Sequence, residues 1–231
     1  MITLNSGSDF IDGKNSYLKF TLKLTAPGVV GGTDFVGFGQ GSAGNVFSEI
    51  LIRARDGAEI ERIRDLNVLM ACRTRWSNAE NYLDNAATAQ GYTSDVSDEA
   101  KTKVTAGLTV GTGTEYVIPM RELSALFNTD KLLPSFLMSG MKIELVLAPA
   151  IAAFYSSGTT ARAVTGYSIS APIIRLETLK LSDSIMNQLT QNAANSGLVI
   201  PIDTWDLTRD TITDKANLEI RRNVSQVLGV L

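Results

Sequence analysis

Residues 16–24 read Ser-Tyr-Leu-Lys-Phe-Thr-Leu-Lys-Leu, and this alternation constrains the chain more than any other stretch. Leu18, Phe20, Leu22 and Leu24 fall on one face of an extended segment, with Tyr17, Lys19, Thr21 and Lys23 on the other. A period of two is the signature of a half-buried antiparallel strand, because successive side chains point to opposite sides of the pleat. Pro27-Gly28 ends the segment.

The same pattern recurs. Between residues 47 and 55, Ile50, Ile52 and Ala54 alternate against Leu51, Arg53 and Arg55. Asp56-Gly57 then supplies the residues of a tight hairpin turn, both central positions favouring positive φ, and residues 58–63 form the returning strand. Residues 104–110 and 115–118 read as short strands. In 142–147, Ile143, Leu145 and Leu147 are expected to face inward. Residues 167–181 give two strand pieces whose parity changes, placing a bulge near Glu177-Thr178. Helices are connectors. Residues 65–82 carry Leu66, Leu69, Met70, Arg73 and Trp76 at three- and four-residue spacing, without Gly or Pro. Pro119 opens a short helix through Leu123, Leu126 and Phe127, with Pro134 in the loop that follows. Ser182 caps a helix containing Ile185, Met186 and Leu189, which Gly197 closes. A new strand is expected at Leu198–Ile202. Glycine-rich 28–44, with a short strand at Phe35–Phe38, and polar 84–103 read as loops, as does the Ser/Gly/Thr stretch 156–160. Many short strands joined by loops predict an all-β fold, a β-sandwich with short connecting helices.

The inventory of reactive side chains excludes most catalysis. The chain contains no histidine and one cysteine, Cys72. Catalytic triads based on histidine, histidine metal ligands and disulfides within the chain are excluded together. Cys72 reads as a small buried apolar residue. The net charge is −3 and the single basic doublet is Arg221-Arg222, so specific nucleic-acid binding is not expected. No 18-residue apolar run or basic leader is present, which predicts synthesis in a cytoplasm without a signal peptide. The sequon Asn223-Val224-Ser225 is then expected to be unused.

Three constellations have a functional and a plain reading. Gly39-Gln40-Gly41-Ser42-Ala43-Gly44 matches the dinucleotide fingerprint, with Glu59 and Glu61 near the distance of its acidic partner. The flanking segments lack its strand and helix, so a loop is expected. Asp203, Asp206, Asp210 and Asp214 surround Trp205 without the spacing of a calcium loop, and read as a solvated loop. Arg73, Arg75 and Trp76 could stack on RNA, but Trp76 and Met70 packing a helix onto the sheet is the expected role. No catalytic, cofactor-binding or metal-binding residue is assigned, and no cofactor; the chain is not expected to be an enzyme.

Three stretches in order carry a family resemblance. The first is residues 10–20, Phe-Ile-Asp-Gly-Lys-Asn-Ser-Tyr-Leu-Lys-Phe. The second is Val-Phe-Ser-Glu-Ile-Leu-Ile-Arg at 46–53, with Asp56-Gly57 and Ile-Glu-Arg-Ile-Arg-Asp-Leu-Asn at 60–67. The third joins Val117-Ile118-Pro119-Met120, Leu126-Phe127, Leu132-Leu133-Pro134 and residues 141–145, Met-Lys-Ile-Glu-Leu. Together they resemble the major capsid proteins of the double jelly-roll lineage of adenovirus-like, virophage and polinton-like viruses. The resemblance implies a jelly-roll β-sandwich, one complete and a second begun: an N-terminal arm at 1–15, a first jelly roll at 16–181, a linker helix at 182–197 and the start of a second at 198–231. Val224, Val227, Leu228 and Val230 lie near the end of the chain, which implies either a fragment or a shorter relative. The implied function is structural: homotrimers forming pseudo-hexameric capsomers of an icosahedral virion, contacting neighbouring capsomers and minor capsid or penton proteins. Loops 28–44 and 84–103 are expected at the outer surface or between subunits, and residues 1–14 beneath the shell. From the residues alone, the alternative is a β-sandwich module binding a carbohydrate or a receptor.

Overall fold

A computed structural model describes residues 1–4, 9–26, 35–38, 42–77, 89–91, 111–157, 164–197 and 199–205. The expected strand 104–110, most of loops 28–44 and 84–103, residues 78–82, the stretch 158–160 and everything after Trp205 lie outside the described residues.

Strands dominate, and every pairing is antiparallel. They are β1 (Ile2–Thr3), β2 (Phe10–Ala26), β3 (Phe35–Phe38), β4 (Phe47–Arg53), β5 (Glu59–Arg64), β6 (Gly113–Pro119), β7 (Leu133–Pro134), β8 (Lys142–Leu147), β9 (Phe154–Ser157) and β10 (Gly166–Leu179). One sheet runs β1-β8-β4-β5, a second runs β10-β2-β6 with β7 also on β2, and β3 pairs with β9. The helices are α1 (Leu66–Ser77), α2 (Met120–Leu123), α3 (Ala150–Ala153) and α4 (Asp183–Ser196), with 3₁₀ turns at Ala43–Val46 and Leu126–Asn128.

The alternation of 16–24 is realised as expected. Leu18, Phe20, Leu22 and Leu24 are each at most 1% exposed and form the inward face of β2. They share one core with Ile50 and Ile52 of β4, Ile63 of β5 and Ile143 of β8. Leu145 is only half-buried and Leu147 is exposed, so the inward face of β8 is completed at its start alone.

The strand begins at Phe10, six residues earlier than the alternation suggests. Residues 10–15 of the expected arm therefore lie in the sheet, and Ile2–Thr3 pairs with Ile143 and Lys142. Asp12-Gly13-Lys14-Asn15-Ser16 has the polarity of a loop but is a bulge inside β2. Arg175 lies opposite Tyr17 and Glu177 opposite Asp12, so four residues of β2 face one of β10. The Asp12 carboxylate accepts from the Lys14 and Asn15 amides and from Asn15 Nδ2 at 3.1, 3.4 and 2.8 Å. Ser16 Oγ donates to the Asp12 carbonyl at 2.7 Å and accepts from the Glu177 amide at 3.1 Å. Local side-chain bonds thus replace the ladder across the bulge. The irregularity expected near Glu177 is present, with the extra residues on the partner strand. The two strand pieces of 167–181 are one strand, interrupted at Ala171-Pro172, where Ala171 has φ 48°.

Other local expectations are adjusted in detail. The β4–β5 turn has three loop residues rather than two. Ala54 N–H donates to the Ala58 carbonyl, Gly57 N–H donates to the Ala54 carbonyl, and Gly57 alone takes positive φ, at 93°. The helix after Pro119 breaks at extended Ser124 and resumes as a 3₁₀ turn. Pro134 is in β7, opposite Phe10, rather than in a loop. Helix α4 starts after Ser182 and stops before Gly197 at φ 74°, as its caps predict. Residues 199–205 carry no regular secondary structure, so the strand expected at Leu198–Ile202 is not formed over its described part, residues 199–202.

Six rings tie the three sheets together. Phe47 of β4 meets Phe20 of β2 at 5.4 Å between centroids, and Phe20 meets Tyr116 of β6 at 6.3 Å. Tyr116 meets Phe38 of β3 at 5.2 Å, Phe38 meets Phe154 of β9 at 5.6 Å, and Phe154 meets Tyr167 of β10 at 5.1 Å. The Tyr167 hydroxyl closes the chain on the β4 end, donating to the Ala148 carbonyl at 2.6 Å, with the Val46 carbonyl at 3.2 Å. Burial pushes the hydroxyls of Tyr116 and Tyr167 up to about 12.

Three outcomes follow. Phe20→Ala removes the ring that joins two sheets and is expected to cost about 3–5 kcal/mol in urea unfolding. Lys19→Ala, on the outer face, removes a surface ion pair to Glu115 and should cost no more than about 1 kcal/mol. Tyr116 and Tyr167 keep their protons in the folded state above the ordinary tyrosine range, so folding stability is fully present below about pH 10 and falls between about 10 and 12. Ultraviolet titration of Tyr116→Phe and Tyr167→Phe should each remove one late-ionising tyrosine.

Candidate functional site

The residues weighed for chemistry in the sequence are mostly apart. Gly39–Gly41 lie outside the described residues. Ser42 caps the 3₁₀ turn Ala43–Val46, its Oγ accepting from the Gly44 amide at 3.2 Å, and β4 follows directly. A phosphate cradle needs a helix there, pointing its free amides at the ligand; a one-turn 3₁₀ segment running into a strand does not supply it. Glu59 is exposed and bridges to Arg62 at 3.1 Å. Asp203 is exposed, while Asp206, Asp210 and Asp214 lie outside the described residues, as do Arg221, Arg222 and the sequon at Asn223. Cys72 is half-buried on α1 rather than buried. Among the described residues no group of three or more acidic or cysteine side chains is placed to hold a metal ion, and no helix is long and apolar enough to cross a membrane.

The strongest polar constellation is one the sequence reading did not assemble. Glu61 sits on β5 with the inward parity of Ile63, while Ile60 points outward. It is 4% exposed. Its carboxylate accepts from Ser124 Oγ at 2.5 Å, from the Ala125 amide at 2.8 Å and from the Leu126 amide at 3.2 Å, with Thr204 Oγ1 at 3.5 Å. These donors come from the break between α2 and the 3₁₀ turn and from the segment after α4. A buried carboxylate is tolerated when its oxygens are filled by donors. A general base would need an oxygen left for substrate; here both oxygens are engaged by the protein. The signal available in sequence was a charged residue at an inward strand position. Its donors lie about 60 and 140 residues away and were not legible.

Arg73 stands beside this carboxylate. Its guanidinium donates to the Glu122 carbonyl at 2.9 Å and the Arg121 carbonyl at 3.5 Å, filling acceptors that α2 leaves open at its end. It also lies 5.6 Å from the centre of the Trp205 ring. Burial lowers its pKa, opposed by the charges of Glu122 and Glu61. Arg73 is therefore committed to internal contacts rather than to RNA. Met70 of α1 is fully buried, as expected of a helix packed on the sheet, and the side chains of Arg75 and Trp76 lie outside the described residues. Thr129 Oγ1 donates to the Pro201 carbonyl at 3.1 Å. Ile200, Ile202 and Trp205 pack on the core. Residues 199–205 are thus a clasp tied to Glu61 of β5, Arg73 of α1 and Thr129.

The surface divides by charge. On the outer face of the β8-β4-β5 sheet, Glu49 and Glu59 bridge Arg62 at 3.5 and 3.1 Å, and Glu144 bridges Arg53 at 3.3 Å. At the start of β2, Lys14 pairs with Asp130, which holds that carboxyl below the usual range. Large apolar side chains are also exposed in segments without charge. Phe136 and Leu137 lie in 132–141, and Val146, Leu147 and Ile151 in 145–161, neither of which contains a charged residue. Ile185 and Val199 lie in 181–202, where Asp183 is the single charge.

Comparison of the chain with protein-family models, curated proteins and solved structures finds no match. Glu61→Gln is expected to turn an amide N–H₂ toward the donors of Ser124, Ala125 and Leu126, and to cost about 2–3 kcal/mol of stability in thermal or urea unfolding.

Proposed function

We propose that the chain is a structural building block of a viral capsid, a jelly-roll major capsid protein that assembles through trimeric, pseudo-hexameric capsomers into an icosahedral shell. The observation that carries the reading is the pairing of an antiparallel β-core with exposed large apolar side chains concentrated in nearly charge-free segments. Interfaces are depleted of charge at their centres, and permanent ones are extensive and apolar. A chain with only 19% charged residues and long stretches free of charge fits a subunit that shares surface with its neighbours. The order of sequence pieces that resembles double jelly-roll capsid proteins supplies the word capsid.

The polar chemistry supports a structural role as well. Buried Glu61 and half-buried Arg73 serve as struts. The alternative, a module binding a carbohydrate, draws less support. Such sites display aromatic faces, and here Phe20, Phe38, Phe47, Tyr116 and Phe154 are buried among one another.

Purified protein is expected to elute at a multiple of its 24.8 kDa mass by light scattering, with trimers leading, and to form hexagonally packed sheets or closed particles in electron micrographs. A monomer at every concentration, with no particles, would count against assembly. Binding to a glycan array would favour the alternative.

A further inference from the structure

The clasp 199–205 meets the body of the fold through complementary groups. Ile200, Ile202 and Trp205 pack on the core. The Pro201 carbonyl accepts from Thr129 Oγ1 at 3.1 Å, Thr204 Oγ1 stands 3.5 Å from the Glu61 carboxylate, and the Arg73 guanidinium lies 5.6 Å from the centre of the Trp205 ring. Each group on the body takes what the clasp offers. A buried carboxylate takes a hydroxyl donor, a guanidinium takes an aromatic ring, and the apolar floor takes two isoleucines. The site therefore selects the sequence Val-Ile-Pro-Ile-Asp-Thr-Trp, without selecting the chain that carries it.

Helix α4 is what joins the clasp to its own body. Its 14 residues span about 21 Å at 1.5 Å per residue. None of its described side chains is buried, so its direction is set mainly by the joints at its two ends. Residues 180–182 before it carry no regular secondary structure. Gly197 behind it has φ 74° and no atom within 4 Å of where a side chain would stand. Rotation at these joints carries the clasp over a distance comparable to the helix while β10 and the site itself stay intact. Once the clasp reaches the same site on another copy, the same groups meet and every bond of the site is restored. Elements docked on their own chain through short joints are the ones that identical copies exchange.

Resting on the assembly reading, we propose that the clasp 199–205 of one copy occupies the Glu61–Arg73–Thr129 site of a neighbouring copy in the assembled state, with α4 as the arm between them. Assembly holds copies side by side, so a neighbour's site competes at high effective concentration with the chain's own. At high dilution the clasp returns to its own site.

The test reads which chain supplies the clasp. In a Cys72→Ser background, Thr129→Cys and Pro201→Cys are placed together in one chain. The protein is oxidised mildly, either assembled or as dilute monomer, and run in denaturing electrophoresis without reductant. The dilute sample is expected to form the 129–201 disulfide within single chains. The assembled sample is expected to form it between chains, as dimers and longer ladders that reductant collapses. Disulfides confined within single chains in the assembled sample overturn the exchange. Where no disulfide forms, a second variant decides. Trp205→Ala removes the largest side chain of the clasp and is expected to weaken self-association about tenfold or more in sedimentation velocity, with unchanged circular dichroism. Association equal to that of the parent overturns the exchange and leaves the assembly reading standing. A parent that stays monomeric at every concentration overturns the assembly reading, and the exchange with it.

Discussion

Ladder hydrogen bonds hold each sheet together, but side-chain contacts are needed to join one sheet to another. That task falls to the six-ring chain from Phe47 to Tyr167. Its rings come from β4, β2, β6, β3, β9 and β10, so every sheet contributes at least one. The rings are mostly edge-to-face or tilted, the arrangements that set positive ring edges against negative faces. The chain needs room. At Gly91, with φ 74°, an added Cβ would come within 2.6 Å of the Phe38 ring and 2.8 Å of the Tyr116 ring, so glycine there serves both the backbone conformation and the packing. The Tyr167 hydroxyl then returns to carbonyls beside Phe47, turning a row of contacts into a closed belt.

The Glu61 carboxylate does for the loops what the rings do for the sheets. Burying a charge is costly until every lone pair is met. The donors that meet it here belong to separate segments, so they can satisfy the charge only if the break after α2 and the clasp 199–205 reach their places on β5 together. Arg73 reinforces the arrangement by filling carbonyls of α2 while its guanidinium lies near Trp205 of the clasp. This coupling accounts for an irregular segment that is nonetheless packed on the core. The Pro201 carbonyl of the clasp is engaged by the Thr129 hydroxyl rather than by a ladder.

Features set by a few neighbouring residues were legible in the sequence. The inward face of β2, the turn at Gly57 and the caps of α4 at Ser182 and Gly197 all follow from local pattern and backbone preference. Where local pattern and partnership conflict, partnership wins. Asp12–Ser16 has the composition of a loop, yet β10 pairs with β2 on both sides of it and folds it into β2 as a bulge. The bulge is allowed at Gly13, where a Cβ would lie 2.6 Å from the Phe127 carbonyl oxygen. Glu61 was visible as a charge and as a residue about 20 positions from a glycine loop, but its role depends on donors far along the chain. The aromatic residues look scattered in sequence for the same reason, because adjacency across sheets has no local signature.

Strand β10 shows how such a chain can present apolar surface without pairing indiscriminately. It is 14 residues long and, among the described residues, bonds β2 along one edge only. A long free edge invites another chain to add a strand. Ala171 at φ 48° and Pro172, which lacks an amide donor, break the edge near its middle, and exposed Arg175 and Glu177 place charge on the following turn of the pleat. The free ladder is thereby cut into short pieces. Association through backbone pairing, which has little side-chain specificity, is disfavoured on this edge.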